Sequence, residues 1–189
     1  MLDSLLRPFA YLTIEHDQKR MVDWLYPSVL ALISLMLLLV LRWIGEVDIF
    51  SSSGFISKVL GFVQSLPGFY IAALAAIATF NKNDIDQKMP NPAPTIGIKY
   101  QGKDVDIELT RRRFLCLMFA FLTAESFLLI LVAIFSVSIA GSVKTLLPVE
   151  FHYVSVAVFL FLFLFILWQM VVTSFWGLFY LGDRLHQPD

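Results

Sequence analysis

Four long apolar runs, interrupted by one polar stretch of 33 residues (81–113), leave this chain few ways to fold. The runs cover about 25–44, 55–80, 114–140 and 149–181. About 20 apolar residues in an α-helix cross the ~30 Å hydrocarbon layer of a bilayer, and each run reaches that length. The chain is 58% hydrophobic with 18 Phe, against about 45–50% apolar residues in a typical soluble domain. The sequence therefore predicts an all-α integral membrane protein of four transmembrane helices. A small cytoplasmic β-hairpin is inserted between helices 2 and 3. The expected divisions are an N-terminal segment 1–24, helices 1 and 2 in 25–80, the loop 81–113, helices 3 and 4 in 114–181, and a tail 182–189.

Residues 1–24 do not read as a secretory signal, because Asp3, Arg7 and Pro8 interrupt any apolar core. Leu2, Leu5, Leu6, Phe9 and Leu12 recur at roughly helical spacing. They predict an amphipathic segment lying on the membrane surface, or else a frayed terminus. Pro27 suits the first turn of span one, where a missing N–H costs nothing. Lys58, Gln64 and Pro67 break the first half of span two, which reads as a kinked span or, alternatively, as an interfacial helix over 55–66. Gly61, Ser65, Gly68, Ala72, Ala75 and Thr79 share one helical face. Small residues let helix backbones approach closely in lipid, so Gly61, Gly68, Ala72 and Ala75 are candidate packing residues, within the chain or between copies. Span three is expected to end at Gly141-Ser142. Pro148 and Glu150 mark the start of span four, with the carboxylate at the positive end of the helix dipole.

Topology follows from the basic residues. The N-terminal segment has three (Arg7, Lys19, Arg20) and the tail one (Arg184). The loop 81–113 has seven (Lys82, Lys88, Lys99, Lys103, Arg111, Arg112, Arg113). The positive-inside rule puts these eleven, and hence both termini and the loop, in the cytoplasm.

Within that loop Ile96, Ile98 and Tyr100 alternate, Gln101-Gly102 follows, and Val105, Ile107 and Leu109 alternate again. Two period-2 runs about a two-residue Gly-containing turn predict a β-hairpin. An isolated hairpin is marginal in water, and its edge could accept a partner strand. Ile96, Ile98, Tyr100, Lys103, Val105, Ile107 and the triple arginine Arg111, Arg112 and Arg113 are thus the expected partner-binding residues. The arginines also suit a topology anchor touching anionic lipid; direct nucleic-acid binding is not expected.

Chemistry is sparse. The chain has one cysteine, Cys116, near the start of an apolar run, which suits a buried, inert thiol. His16, His152 and His186 share no ligand spacing, so no metal site, cofactor or catalytic constellation is expected. Glu15, His16 and Asp17 form the one dense titratable cluster near an interface, enough to frame a lipid-modifying enzyme but better read as a solvated turn. Gln169, Thr173, Trp176 and Tyr180 form a stripe on span four. Glu125 is 11 residues past Phe114 and Gln169 is 12 before Leu181, so both lie roughly 16–18 Å deep. Pro67 is at a similar level. A carboxylate at that depth is costly, and a Glu125–Gln169 contact is allowed. The pair predicts either interhelical glue or an ion, proton or gating site.

The layout of four spans, the run FYIAALAAIATFNKNDIDQKMP into the loop and TRRRF out of it resembles the KwaA family, the membrane component of bacterial Kiwa anti-phage defence systems. The resemblance implies a non-enzymatic bacterial inner-membrane protein forming a homo-oligomer, for which a tetramer is the expected size. Such a protein senses envelope disturbance and works with a cytoplasmic DNA-binding effector of the KwaB kind. The alternative from the residues alone is a small oligomeric ion channel or depolarising effector.

Overall fold

The computed structural model describes residues 6–45, 47–79, 83–89, 93–100 and 103–182. A 3-10 helix, Arg7–Thr13, leads into helix α1, which joins an α-turn Asp17–Arg20, a π-helical turn Met21–Leu25 and an α-helix Tyr26–Ile44. Helices α2 (Phe55–Val63) and α3 (Leu66–Thr79) follow, then a 3-10 turn Asn83–Asp86. Strands β1 (Thr95–Tyr100) and β2 (Lys103–Glu108) precede the long helices α4 (Arg111–Leu146) and α5 (Val149–Gly182). Among the described residues four stretches are long and apolar enough to cross a membrane: Gln18–Ile44, Phe55–Thr79, Arg111–Leu146 and Val149–Leu181.

Three boundaries differ from expectation, each for a local reason. The first helix starts at Asp17 rather than near residue 25, because His16 caps it. The His16 Nδ1 accepts from the Gln18 N–H at 3.2 Å, and the charges of the next turn are paired inside the fold. The third long helix passes through Gly141 to Leu146, since one glycine costs a helix only about 1 kcal/mol. Pro148 sets its end by forcing Leu147 into extended geometry (φ −86°, ψ 140°). The N-terminal segment is not frayed over Arg7–Thr13, where it forms a 3-10 helix. It folds against α4, with Tyr11 stacked on Phe121 (centroids 5.0 Å) and Phe9 edge-on to the same ring.

Helix α2 stops at Val63 and α3 starts at Leu66. Pro67 has no N–H for the Val63 carbonyl, and its ring crowds that carbonyl. Both pieces pack along α4, the kinked-span arrangement. The helices stand in the order α3, α4, α5, α1, with α4 and α5 central. The face of α2 and α3 that meets the rest of the chain carries Ile56, Val63, Pro67, Tyr70 and Ile77. Gly61, Gly68, Ala72 and Ala75 are all exposed, and a Cβ on Gly61 or Gly68 would meet nothing within 4 Å. The small-residue face is therefore not a seam within this chain. The close approach falls at Gly177 of α5, where a Cβ would sit 2.5 Å from Cε of Met118 on α4.

The outer surface of the bundle is apolar. Met36, Phe69, Phe135 and Phe175 are each more than three-fifths exposed, the reverse of a soluble core-and-shell pattern.

The hairpin forms as the alternation predicts. Ile96 pairs with Ile107, Ile98 with Val105 and Tyr100 with Lys103 in an antiparallel ladder. Its base rests on a small apolar cluster of Ile14, Ile85, Met89, Ile96 and Leu109, all buried. Glu15 and Thr95 exchange backbone hydrogen bonds of 2.9 and 3.2 Å, and the Arg111 N–H donates to the Gln87 carbonyl at 3.0 Å. The start of β1 thus already has a backbone partner at its outer edge.

Candidate functional site

A polar cluster lies where the 3-10 helix, α1, α4 and α5 meet. Lys19 and Asp23, one helical turn apart, are 2% and 1% exposed and form an ion pair. The Tyr11 hydroxyl donates to Asp23 Oδ1 at 3.2 Å, and the Lys19 ammonium lies 4.1 Å from the Tyr11 ring centroid. A cation over an aromatic face is held by the ring quadrupole. Burial, with the Asp23 charge beside it, raises the Tyr11 phenol well above its ordinary range, so it stays a donor.

Asp23 sits within the π-helical turn. In an α-helix its carbonyl would accept from the N–H four residues on, but that residue is Pro27. Gln169 of α5 supplies the donor instead, its Nε2 lying 2.8 Å from the Asp23 carbonyl oxygen. A π-turn widens the helix and often marks a functional position. Here it turns Asp23 inward between Tyr11 and Lys19.

Glu125 of α4 is 2% exposed, and neither carboxyl oxygen has a hydrogen-bond partner among the described residues. Asp23 is close enough to act on it electrostatically, and Glu125 in turn acts on Tyr11 and Tyr70. Nearby bonds tie the helices together: Tyr70 to Ser174 at 2.7 Å and Trp168 to Ser34 at 2.9 Å.

The structure thus buries both polar residues that the sequence reading singled out within the long apolar runs, Glu125 and Gln169. It does not join them by a hydrogen bond: the Gln169 amide serves α1. Sequence reading missed Lys19, Asp23 and Tyr11; of these Lys19 lies in the polar string IEHDQKR (14–20), which reads as solvated. One signal was available. A proline four residues after Asp23 leaves a carbonyl needing a donor, though nothing in the sequence says which side chain supplies it.

The expected partner-binding residues divide. Ile96 is buried and Ile107 half-buried, whereas Val105 is 40% exposed. The side chains of Ile98, Tyr100 and Lys103 lie outside the described residues. The three arginines do not act alike. Arg111 is buried and Arg113 exposed. Arg112 reaches Asp86 with Nε at 2.6 Å and Nη2 at 2.9 Å, and its Nη1 donates to the carbonyls of Ile77 (2.8 Å) and Ala78 (3.2 Å). Those carbonyls belong to the last turn of α3, where intrahelical donors run out. Arg112 is therefore a clamp between α3, the 3-10 turn and α4. Its guanidinium also holds the Asp86 carboxyl below the ordinary range, chiefly by hydrogen bonding.

Among the described residues no group of three or more His, Cys, Asp or Glu could hold a metal ion. Cys116 is half-buried. Comparison with protein-family models, characterised proteins and solved structures finds no match to this chain.

Proposed function

We propose that this chain is a multi-pass membrane protein that senses the state of its bilayer and holds a soluble effector on its hairpin. The topology is the one read from the basic residues, with the termini and hairpin in the cytoplasm. One observation carries the reading: the base of the hairpin is bonded on both sides to segments that run straight into helices. Glu15, one residue before the cap of α1, pairs with Thr95, and Leu109, two residues before α4, accepts from the Met89 N–H at 3.1 Å. A change in helix packing therefore moves the platform rather than being absorbed by a slack linker. The exposed end of the hairpin at Val105 is the surface a partner would meet. The antiviral setting, the bacterial inner membrane and a DNA-binding partner rest on the resemblance to the KwaA family.

Self-association belongs to the same proposal. The exposed face of Gly61, Gly68, Ala72 and Ala75 is where a second copy's helix could approach closely, and cyclic symmetry is the usual form of such assemblies. The test is co-purification in mild detergent of the protein with the soluble product of the adjacent gene. Replacing residues 97–106 by a short turn should abolish partner recovery while membrane insertion persists. Undiminished recovery would overturn the scaffold reading. The second reading, a small channel, draws on the unpartnered Glu125 carboxyl. It predicts bilayer conductance that disappears with Glu125→Ala.

A further inference from the structure

We propose that the open edge of β1 is a self-association surface, on which β1 of a second copy pairs antiparallel about a two-fold axis at Ile98. The two hairpins then form one continuous sheet beneath the helices.

Hydrogen bonds define the edge. Thr95 turns both its N–H and its carbonyl away from β2, to Glu15. Outward and inward backbone groups alternate along an antiparallel strand, so Gly97 and Lys99 turn outward as well. Among the described residues nothing bonds to the outward groups of Gly97. Glu15 does not continue the pairing, because a 3-10 helix ends at Thr13 before it and His16 after it caps α1. Neither proline nor bulge blunts the edge: β1 pairs one to one with β2 from Thr95 to Tyr100. An edge of this kind is a template for another strand.

Charge chooses the occupant and its register. A Cβ on Gly97 would lie 3.4 Å from Oδ1 of Asp106, so this exposed carboxylate lies against the glycine, beside the open edge. Lys88 serves Glu108 at 2.6 Å, whereas Asp106 has no cation among the described residues. The edge therefore suits a strand with a basic residue opposite Gly97, and a second copy brings one. Antiparallel pairing centred on Ile98 sets Lys99 of each copy opposite Gly97 of the other and uses the outward groups of both residues. Centring on Gly97 would oppose the two Asp106 carboxylates and set Lys99 against Thr95, which Glu15 already holds. Centring on Lys99 would set like charges directly opposite, which destabilises a strand pair. One register satisfies both backbone and charge, and it is the self-complementary contact of a two-fold dimer.

The two-fold axis of an antiparallel strand pair is perpendicular to the sheet. Two copies in one bilayer share an axis along the membrane normal, so each hairpin lies flat, one face to the helices and one away. Ile96, buried on one face, and Asp106 and Glu108, exposed on the other, fit that attitude. The inference rests on the membrane reading and deepens it by naming how two copies meet. Its test uses the chain alone, so its failure is distinct from failure to hold an effector.

The experiment is a single-cysteine scan of the full chain in proteoliposomes of phosphatidylethanolamine and phosphatidylglycerol, with Cys116→Ser removing the native thiol. Directly opposed residues between hydrogen-bonded positions have Cα atoms about 4.5 Å apart, within disulfide reach, whereas diagonal neighbours at about 7–8 Å are beyond it. Ile98→Cys should therefore form a covalent dimer under mild oxidation, and Gly97→Cys and Lys99→Cys several-fold less. In the Ile98→Cys background Asp106→Lys should lower the dimer yield several-fold, and adding Lys99→Asp should restore it. Bridging at 97 or 99 in place of 98, or at all three alike, overturns the proposal. A yield indifferent to Asp106→Lys, or not restored by the exchange of charges, does the same. The unaltered chain decides where a variant fails to fold: dilution into excess lipid should quicken amide exchange over 97–99 several-fold, and unchanged exchange overturns the proposal. Protection of 97–99 gained only on adding the soluble product of the adjacent gene assigns the edge to the effector and also overturns it.

Discussion

The side chain of Gln169 donates to the main chain of Asp23 at 2.8 Å, across 146 positions of sequence, to a carbonyl that Pro27 cannot serve. The bond ties α5 to the π-turn of α1 and orients Asp23 toward Lys19 and Tyr11. It is a backbone repair made by a distant side chain, and it gives a direct prediction.

Gln169→Leu leaves the Asp23 carbonyl buried without that donor and should cost about 1–3 kcal/mol. Pro27→Ala supplies an N–H four residues on, so Gln169→Leu should cost less in that background. A double-mutant cycle on denaturant unfolding in detergent checks this. Additive losses would mean the carbonyl has no need of the amide.

Removing one member of the buried ion pair should be worse than removing both. Lys19→Met leaves Asp23 as a buried charge without its cation, at about 3–5 kcal/mol. Lys19→Met with Asp23→Leu should recover much of the loss. Thermal unfolding of the three variants measures it, and a double variant weaker than Lys19→Met would refute the pairing argument.

The Arg112–Asp86 clamp should be pH-dependent in one direction. Asp86 has a lowered folded value, so its contribution is present above the ordinary carboxylate range and is lost as pH falls through that lower value. Amide exchange over residues 83–89 should therefore quicken in acid below the normal range. Arg112→Gln should show the fast exchange already at neutral pH. Arg112→Lys should rescue only in part, because a single ammonium cannot span the carboxylate and two carbonyls.

Gly177 separates two kinds of small residue. Gly177→Val should destabilise by about 1–3 kcal/mol through overpacking against Met118, and Met118→Ala should relieve part of it. Gly68→Val, with open space around it, should leave monomer stability nearly unchanged and lower the oligomer mass instead. Unfolding and native mass measurement read the two effects separately. An unchanged assembly in Gly68→Val would remove the small-residue face from the oligomer.

What was legible in the sequence has the physics of short range. Apolar runs of span length identify the four long helical stretches, because burial in lipid is decided residue by residue along the chain. Alternation of Ile96, Ile98, Val105 and Ile107 identifies the hairpin, because a strand's two faces repeat every second residue. Pro67 sets a break through its missing N–H and its ring, and Pro148 sets one by forcing the residue before it into extended geometry. What tertiary structure alone decided involves polar groups whose partners lie far away in sequence. Lys19 reads as one more cytoplasmic basic residue until Asp23 pairs with it inside the fold, and Arg112 reads as a lipid anchor until α3 presents its last carbonyls. Gly61 and Gly68 read as a seam, yet bulky Ile56, Val63 and Tyr70 face α4, so the small residues point outward. In each case composition allowed two environments, and the choice fell to where a hydrogen bond or counter-ion could be found.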